Sequence, residues 1–385
     1  MSERVILQPL YFKEFMCITD RCKENCCRHD WQIQIDKATY DKYTRLNGDD
    51  WRKLCENIRV ISQDPFKAEL LFGADGGCKF LDDAGRCSIH LKYGHDYLSH
   101  TCKVYPRKYC NVAGDSEAYL ELSCEAVSDL VLFDEDLMEF ERVLYEGDEP
   151  ITYHRTLEAH RYSYSENAAG IFWELRSASI AIAQYRRYSL QFRMVILGMF
   201  ISQTAELLVA GRDSEIEGLA KVFVDRLDTG AYDDFIDQVQ GGGELGIEFI
   251  LRMVSSMESS VNKVLIRCLD QARAGFGLTP GIEIAADFAD DYKKHYETYF
   301  ADKESILEHF IVQHIFSYGF PFNYRYTDNI MSNYNELLVK LNLIKFLLVG
   351  MCRYHGGFNR ERIVECVSSF SGVFDHNISG ALVIE

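Results

Sequence analysis

The sequence is short of several things. Proline is scarce, 6 in 385 residues, so little stands in the way of long helices. Basic residues are outnumbered, 41 Lys and Arg against 59 Asp and Glu, leaving a formal net charge of −18. A surface that acidic repels phosphate backbones and anionic lipid. Nucleic acid and membrane are therefore poor partners, and a cationic substrate is a better one. Long apolar runs are missing too. The most apolar stretches, Met194–Ile201 and Leu341–Met351, fall short of the ~18–20 residues of a spanning helix. Lys345 interrupts the second and Lys340 precedes it, so both read as core helices. The opening MSERVILQPLYFKEF has neither the apolar segment nor the small-residue cleavage site of a signal peptide. These absences predict a soluble, cytoplasmic protein.

Two chemical signatures are also missing. A common nucleotide-binding fold would show a strand, a glycine-rich turn and an acid about 20 residues on. The one glycine cluster, GGGELG, follows the acid- and glutamine-bearing YDDFIDQVQ and reads as a loop between helices. A radical S-adenosylmethionine signature, Cys-x3-Cys-x2-Cys, is incomplete. Cys22 and Cys26 have the first spacing, but Cys27 comes too early and Arg28 and His29 follow.

Cysteine is what the sequence has in excess. There are 13, and ten lie within the first 124 residues: Cys17, Cys22, Cys26, Cys27, Cys55, Cys78, Cys87, Cys102, Cys110 and Cys124. An odd total without an export signal argues against a disulfide framework and for metal ligation. The first group reads Cys-x4-Cys-x3-Cys-Cys, and Cys78-x8-Cys87 follows. Short spacings let one loop present several thiolates with little further loss of chain entropy. Asp82-Asp83-Ala84-Gly85 supplies turn chemistry that would fold Cys78 and Cys87 toward each other. Zinc favours paired Cys-x2–4-Cys knuckles, and only Cys22-x3-Cys26 has that form. The irregular spacings suit an iron–sulfur cluster better, with zinc as the alternative and reduced, buried thiols as the purely structural one. Cys55, Cys268, Cys352 and Cys366 each stand alone in an apolar setting and read as core residues.

Several segments resemble the flagellin lysine-N-methylases of FliB type. They are QPLYFKEFMCITDRCKENCC with WQIQIDKATYDKY, CKFLDDAGRCSIHLKYGHDYLSHTCKVYPR, the stretch from LSCEAVSDLVL, and near the end LIKFLLVGMCRYHGG and SSFSGVFDHN. The resemblance touches both ends of the chain. It implies methyl transfer from S-adenosylmethionine to lysine side chains of flagellin, in the bacterial flagellum pathway, and a 4Fe–4S cluster held by N-terminal cysteines. The positions that carry over are Cys17, Cys22, Cys26, Cys27, Cys78, Cys87, Cys102 and Cys124. Cys55 and Cys110 look particular to this chain. Arg28-His29-Asp30 stands before Trp31 where the family tends to have a glycine. Eight thiolates exceed the four that one cluster uses, so either two metal centres exist or half of the set has another role.

Composition is otherwise ordinary for a globular chain, 47% apolar and 26% charged, and the length suggests two or three domains. No repeat of fixed period appears. The expected fold is mainly α, with a loop-rich, metal-organised cysteine domain over 1–130 packed on a larger helical domain over 131–385. WQIQID puts Ile33 and Ile35 on one face of an extended piece, and Asp36 is a candidate N-cap for the helix after it. Leu190, Met194, Leu197, Ile201, Ala205 and Leu208 recur at helical steps, as do Leu337, Leu341, Ile344, Leu348 and Met351. Val222, Phe223 and Leu227 suggest a helix between them, and GGG at 241–243 and Pro280-Gly281 mark breaks.

Lysine methylation needs a neutral amine, and free lysine titrates near ~10.4. The site must therefore desolvate the amine or hold a base beside it. Aromatic faces attract both the sulfonium and the lysine. YSYSENAAGIFWEL and GFPFNYRYTDN are the segments that would line such a pocket. Arg107 is the candidate for a bidentate grip on a cofactor carboxylate, with a structural brace as the alternative. His90, His95 and His100 stand at steps of five, which do not share a helix face. Polar transfer suffices for an amine nucleophile, with the cluster organising the cofactor pocket. Two other readings stay open: a helical adaptor stapled by zinc or a cluster that binds a partner without catalysis, and an electron carrier.

Overall fold

Apolar residues at helical steps build most of this chain, and two small sheets occupy its first 160 residues. The computed structural model describes residues 4–18, 21–22, 26–27, 33–63, 66–73, 76–145, 151–163, 166–236, 262–278, 288–324 and 329–376. The triple glycine at 241–243, the Pro280-Gly281 break and Arg28-His29-Asp30-Trp31 lie outside the described residues.

In chain order come β1 (Val5–Pro9), β2 (Gln34–Asp36), α1 (Lys37–Thr44), α2 (Gly48–Cys55), β3 (Ile58–Gln63) and β4 (Phe66–Leu70). Next are α3 (Ser88–Tyr93), α4 (His100–Val104), β5 (Arg107–Val112), β6 (Asp115–Leu120), α5 (Glu125–Leu132), β7 (Phe140–Leu144) and β8 (Arg155–Leu157). Helices follow: α6 (Ala168–Ala183), α7 (Leu190–Val209), α8 (Ile216–Thr229), α9 (Asp233–Ile236), α10 (Lys263–Gly275), α11 (Phe288–Phe300), α12 (Glu304–Ser317), α13 (Ile330–His355) and α14 (Arg360–His376).

The small sheet has the order β2-β4-β3 and is antiparallel. Its inner face carries Ile33, Ile35, Ala68 and Leu70, which pack with Tyr43, Leu54, Phe80, Ile89 and Leu98 into a core of their own. The extended reading of WQIQID is met at Ile33 and Ile35, both buried. Asp36 does cap α1, accepting the Thr39 N–H at 2.8 Å. It also accepts the His100 N–H at the start of α4, at 3.2 Å.

The larger sheet has the order β7-β1-β6-β5-β8. β1 runs parallel to β6 and antiparallel to β7; β5 is antiparallel to β6 and parallel to β8. A two-residue turn, Ala113-Gly114, joins β5 to β6. Both residues have positive φ, 50° and 95°, as the favoured hairpin turn requires. The expectation of a loop-rich cysteine region is corrected here, since six strands, β1 to β6, are present among the described residues of 1–130. The expectation of helices from 131 onward also misses β7 and β8, which return to flank β1 and β5. These strands were hard to read because β6, DSEAYL, is buried at four consecutive positions and shows no alternation.

The second core is far larger and joins this sheet to the helices. α13 runs through it, and every residue from Leu337 to Cys352 is buried, the pattern of a helix surrounded on all sides. Its two lysines are accommodated there. Lys340 Nζ lies 3.2 Å from Glu336 and 4.2 Å from the Tyr318 ring centre, and Lys345 Nζ lies 3.9 Å from the Tyr296 ring centre. α7 is 20 residues long, and by length and composition it could cross a membrane. The sequence suggested a shorter apolar run. Leu190, Phe192, Met194, Ile196, Leu197, Phe200 and Ile201 of α7 are buried in the core.

α10 and α13 approach with no side chain between them. A Cβ at Gly275 would stand 2.1 Å from the Gly350 carbonyl oxygen, and one at Gly350 would stand 2.7 Å from Ala272 Cα. Sheet and helices are also tied by a buried ion pair. Arg176 on α6 (3% exposed) meets Glu117 on β6 (1% exposed) in a two-pronged contact. The guanidinium is flanked by the rings of Phe172, Trp173 and Phe316 at 4.4–4.9 Å. Burial raises the Glu117 pKa, against the opposing pull of Arg176.

Candidate functional site

None of the thirteen cysteines is in a disulfide. The knuckle expected between Cys78 and Cys87 is present. Asp82 accepts the N–H groups of Ala84 and Arg86 at 3.0 and 2.8 Å, and Gly85 takes a φ of 75° to close the turn. The Cys78 N–H donates to the Cys27 carbonyl at 2.6 Å, which brings the first cysteine group against this knuckle. Cys87 is the N-cap of α3, Cys102 sits in the first turn of α4, and Cys124 is the N-cap of α5. A helix start favours negative sulfur through its exposed amides and dipole.

Those amides are already aimed at the thiols. Cys87 sulfur accepts from Ile89 and His90, Cys124 sulfur from Ala126 and Val127, and Cys78 sulfur from Phe80. Ser99 does the same for Cys102 through its hydroxyl. Burial still dominates. It pushes Cys78 up to about 11 and Cys102 and Cys124 up to about 12, and the neighbouring thiols add to the rise. Cys22 and Cys27 are raised as well, Cys22 chiefly by burial and Cys27 by the Cys26 thiol and then by burial. Cys26 alone is lowered, by its hydrogen bond with Cys27. Half-buried sulfurs that repel one another as anions, yet receive backbone N–H groups, form a donor set whose chemistry suits a thiophilic cation. Among the described residues, no three Cys, His, Asp or Glu side chains are drawn together tightly enough to grip an ion as they stand.

The other candidates fall apart from this set. Cys55 is exposed at the end of α2. Cys110 is buried in β5, its sulfur hydrogen-bonded by Tyr324. Cys268 and Cys366 are not solitary as the sequence suggested. They hydrogen-bond to each other in the helical core with Cys352 nearby, an arrangement made by α10, α13 and α14. Arg107 stacks its guanidinium on Phe15, 5.0 Å from the ring centre. His90 and His95 do meet, edge to face at 6.3 Å. Gly94 ends α3 between them with a φ of 83°, which breaks the helical spacing that would have kept them apart. Both are exposed, as is His100.

Among the described residues, spaces adjoin the sheet at two places that bear on function. One is a cavity of about 20 Å³ lined by Tyr119, Glu121, Arg155, Gln313, Tyr318 and Asp375, room for a single water. No sequence motif marks it. Tyr318 donates its hydroxyl to Asp375, and Gln313 accepts from Tyr11 while donating to the Leu120 carbonyl at 2.7 Å. His314 stacks on Tyr318 at 4.1 Å, and Arg155 lies 5.4 Å from the same ring centre. Burial holds Tyr119 and Tyr318 well above the usual phenol range. Its acids pair with lysines outside the lining, Glu121 with Lys108 at 3.5 Å and Asp375 with Lys340 at 3.7 Å, and its volume excludes a nucleoside, so it is a buried polar network. It reaches the cysteines through the Glu121 carbonyl, which accepts the Cys124 N–H at 3.1 Å. The second space is an open cleft of about 400 Å³ beside Arg4, Asp115, Arg142 and Tyr153. Its volume is that of a small-molecule site, but its lining includes an exposed Arg142–Asp115 pair at 2.9 Å.

The two aromatic segments singled out in the sequence do meet. Tyr162 stacks on Phe322 at 4.4 Å and donates to the Asn323 carbonyl at 2.8 Å, while Phe172 packs on Phe322 at 5.8 Å. Phe172 and Phe322 are fully buried, so this contact is core and not the wall of an open pocket.

Known proteins share parts of this chain. It is 29% identical to the lysine-N-methylases of Salmonella typhimurium and Salmonella choleraesuis over 141 residues, 36% of this chain and 35% of each relative. The matched stretch thus spans about a third of those relatives' length. It is also 29% identical over 141 residues to the flagellar biosynthetic protein FliU of Salmonella muenchen, covering 83% of that protein. No solved structure matches. Residues 176–381, which run from α6 beyond the end of α14, match the FliB lysine N-methylase C-terminal domain. The chain therefore belongs to the FliB lysine N-methylase family.

Proposed function

We propose that this protein is a cytoplasmic, S-adenosylmethionine-dependent lysine N-methyltransferase whose substrate is flagellin and whose N-terminal cysteines hold a 4Fe–4S cluster. The match of residues 176–381 to the family's C-terminal domain carries the reading. The relatives' names support it: lysine-N-methylase fits the reaction, and the flagellar name of FliU fits a flagellar substrate. A formal charge of −18 suits a lysine-bearing partner.

Cys17, Cys22, Cys26, Cys27, Cys78, Cys87, Cys102 and Cys124 are the residues that would hold iron, with zinc as the alternative metal. When bound, S-adenosylmethionine supplies a methyl group on a sulfonium, which the amine nitrogen takes as the carbon–sulfur bond breaks. The protein's share is to keep the incoming lysine neutral, which asks for burial before a base, because a lone carboxylate stabilises the ammonium. Arg107 remains a candidate for the cofactor carboxylate.

The test is anaerobic incubation of the full chain with flagellin and methyl-labelled S-adenosylmethionine, followed by peptide mass spectrometry. Methyl groups on flagellin lysines, with S-adenosylhomocysteine formed in equal amount, are expected. Unmodified flagellin that nevertheless co-purifies with the protein would overturn the enzyme and leave the stapled adaptor. A 5′-deoxyadenosine product would overturn the polar route.

A further inference from the structure

A cavity too small for a nucleoside still admits the tip of one side chain. The space of about 20 Å³ where β6, β8, α12 and α14 meet is graded in depth. Arg155 and Asp375 are half-buried in its lining, whereas Tyr119, Ser317 and Ser371 are 4%, 5% and 1% exposed. Among the described residues, the hydroxyls of Tyr119, Ser317 and Ser371 have no hydrogen-bond partner. Buried hydroxyls are ordinarily satisfied, so three orphans around one space require a polar occupant.

The charges beside the space narrow its chemistry. Its two acids are held by lysines of their own, Glu121 by Lys108 and Asp375 by Lys340, and Tyr318 also donates to Asp375. Arg155 has no such partner. Other buried or half-buried arginines meet carboxylates: Arg176 meets Glu117, Arg193 meets Glu308 and Arg353 meets Asp291. Arg155 instead donates to the Asp375 carbonyl at 3.4 Å and lies 5.4 and 5.6 Å from the ring centres of Tyr318 and Tyr324, with no ion pair among the described residues. A free cation beside a dry space disfavours a second positive charge there. Hydroxyl oxygens accept N–H groups without the pull of a free carboxylate. Burial holds Tyr119 well above the usual phenol range, so it stays a neutral phenol. Such a lining binds an amine in preference to an ammonium.

We infer that this cavity receives the ε-amine of the substrate lysine, its two N–H groups donated among the hydroxyl oxygens of Tyr119, Ser317 and Ser371 and its lone pair left for the methyl carbon. This rests on the proposal that the protein methylates lysine. The lone pair becomes the new carbon–nitrogen bond, the carbon–sulfur pair stays on sulfur as S-adenosylhomocysteine forms, and the surplus proton of the methylated nitrogen leaves to solvent past Asp375. A water-sized space suits this tip, and the rest of the lysine chain would reach back past Arg155 and Asp375 to the surface.

The experiment measures methylation of flagellin by the full chain, prepared anaerobically, with n-butylamine as a stand-in for the lysine tip. In the wild type, butylamine should inhibit competitively against flagellin and leave the affinity for S-adenosylmethionine unchanged by calorimetry. Ser317→Ala with Ser371→Ala, and separately Tyr119→Phe, remove hydroxyls but little volume. Each should lower kcat/KM for flagellin about tenfold, the worth of one buried hydrogen bond, and weaken inhibition by butylamine. Each should keep the wild-type affinity for S-adenosylmethionine and the wild-type unfolding midpoint. Folded hydroxyl variants that methylate at the wild-type rate would overturn the inference, leaving a water in the cavity and the methylase reading intact. Butylamine that competes with S-adenosylmethionine, or does not inhibit at all, would do the same. A wild type that never methylates flagellin would remove the reading and the inference together. The butylamine measurement on the wild type needs no variant to fold.

Discussion

Two cores hold this chain, and they are built to different standards. The larger runs from the five-stranded sheet through α14, with a central helix buried on every side. The smaller has eleven buried residues between Ile33 and Leu98, with Cys27, Cys87 and Cys102 among its partly buried neighbours. An apolar cluster that small contributes only a few kcal/mol on its own. The larger core closes by side-chain packing, whereas the smaller places thiols where a core of its size would need further apolar residues.

Breaking that comparison starts at the seam between sheet and helices. Arg176→Met would leave the Glu117 carboxylate buried without its cation, costing about 3–5 kcal/mol, read as a loss of midpoint in urea unfolding. Adding Glu117→Leu should restore most of it, and failure to do so would mean that the ring-stacked arginine matters more than the pair. Next is the α10–α13 crossing. Gly275→Ala should cost about 1–3 kcal/mol by forcing the helices apart, despite the higher helix propensity of alanine. An unchanged midpoint would show that the crossing can yield.

The smaller core responds to different changes. Asp36→Ala should cost about 1 kcal/mol through the α1 cap and lower the protection of α1 and α4 amides in hydrogen exchange, with α13 unaffected. Acid should do the same. Burial opposes ionisation of Asp36, yet hydrogen bonds from Thr39 and His100 outweigh it and hold its pKa below the usual carboxylate value. The cap is therefore complete above the ordinary carboxylate range and is lost as pH falls through the lowered folded value. Equal loss of protection in α13 would contradict this local role. The smallest effect expected is that of Arg107→Ala, about 0.5–1 kcal/mol from its contact with Phe15. A drop in S-adenosylmethionine affinity by calorimetry at unchanged stability would instead make it a cofactor residue.

The helices were legible because their signal is local. α7, α8 and α13 fall where Leu190 to Leu208, Phe223 with Leu227, and Leu337 to Met351 place them. The Asp36 cap and the Asp82–Gly85 turn were legible for the same reason. The larger sheet was not. β6 lies with both faces covered, and β7 and β8 find partners more than 40 positions away, so neither alternation nor spacing marks them. Cys268 and Cys366 read as solitary because the helix pairing that joins them spans nearly a hundred residues. The division of the cysteines among two cores was hidden likewise, since Cys102 packs on the smaller core and Cys124 on the larger although only 22 positions separate them.

The parallel pairing of β1 with β6 has a consequence for where chain ends are delivered. Strands that run the same way exit at the same rim, so the segment leaving Pro9 and the one leaving Leu120 emerge side by side. Cys17 lies on the first and Cys124 on the second, and the Cys17 thiol adds to the rise in the Cys124 pKa. Strand direction thus acts as an address, bringing to one doorstep two residues that sequence distance alone would never introduce.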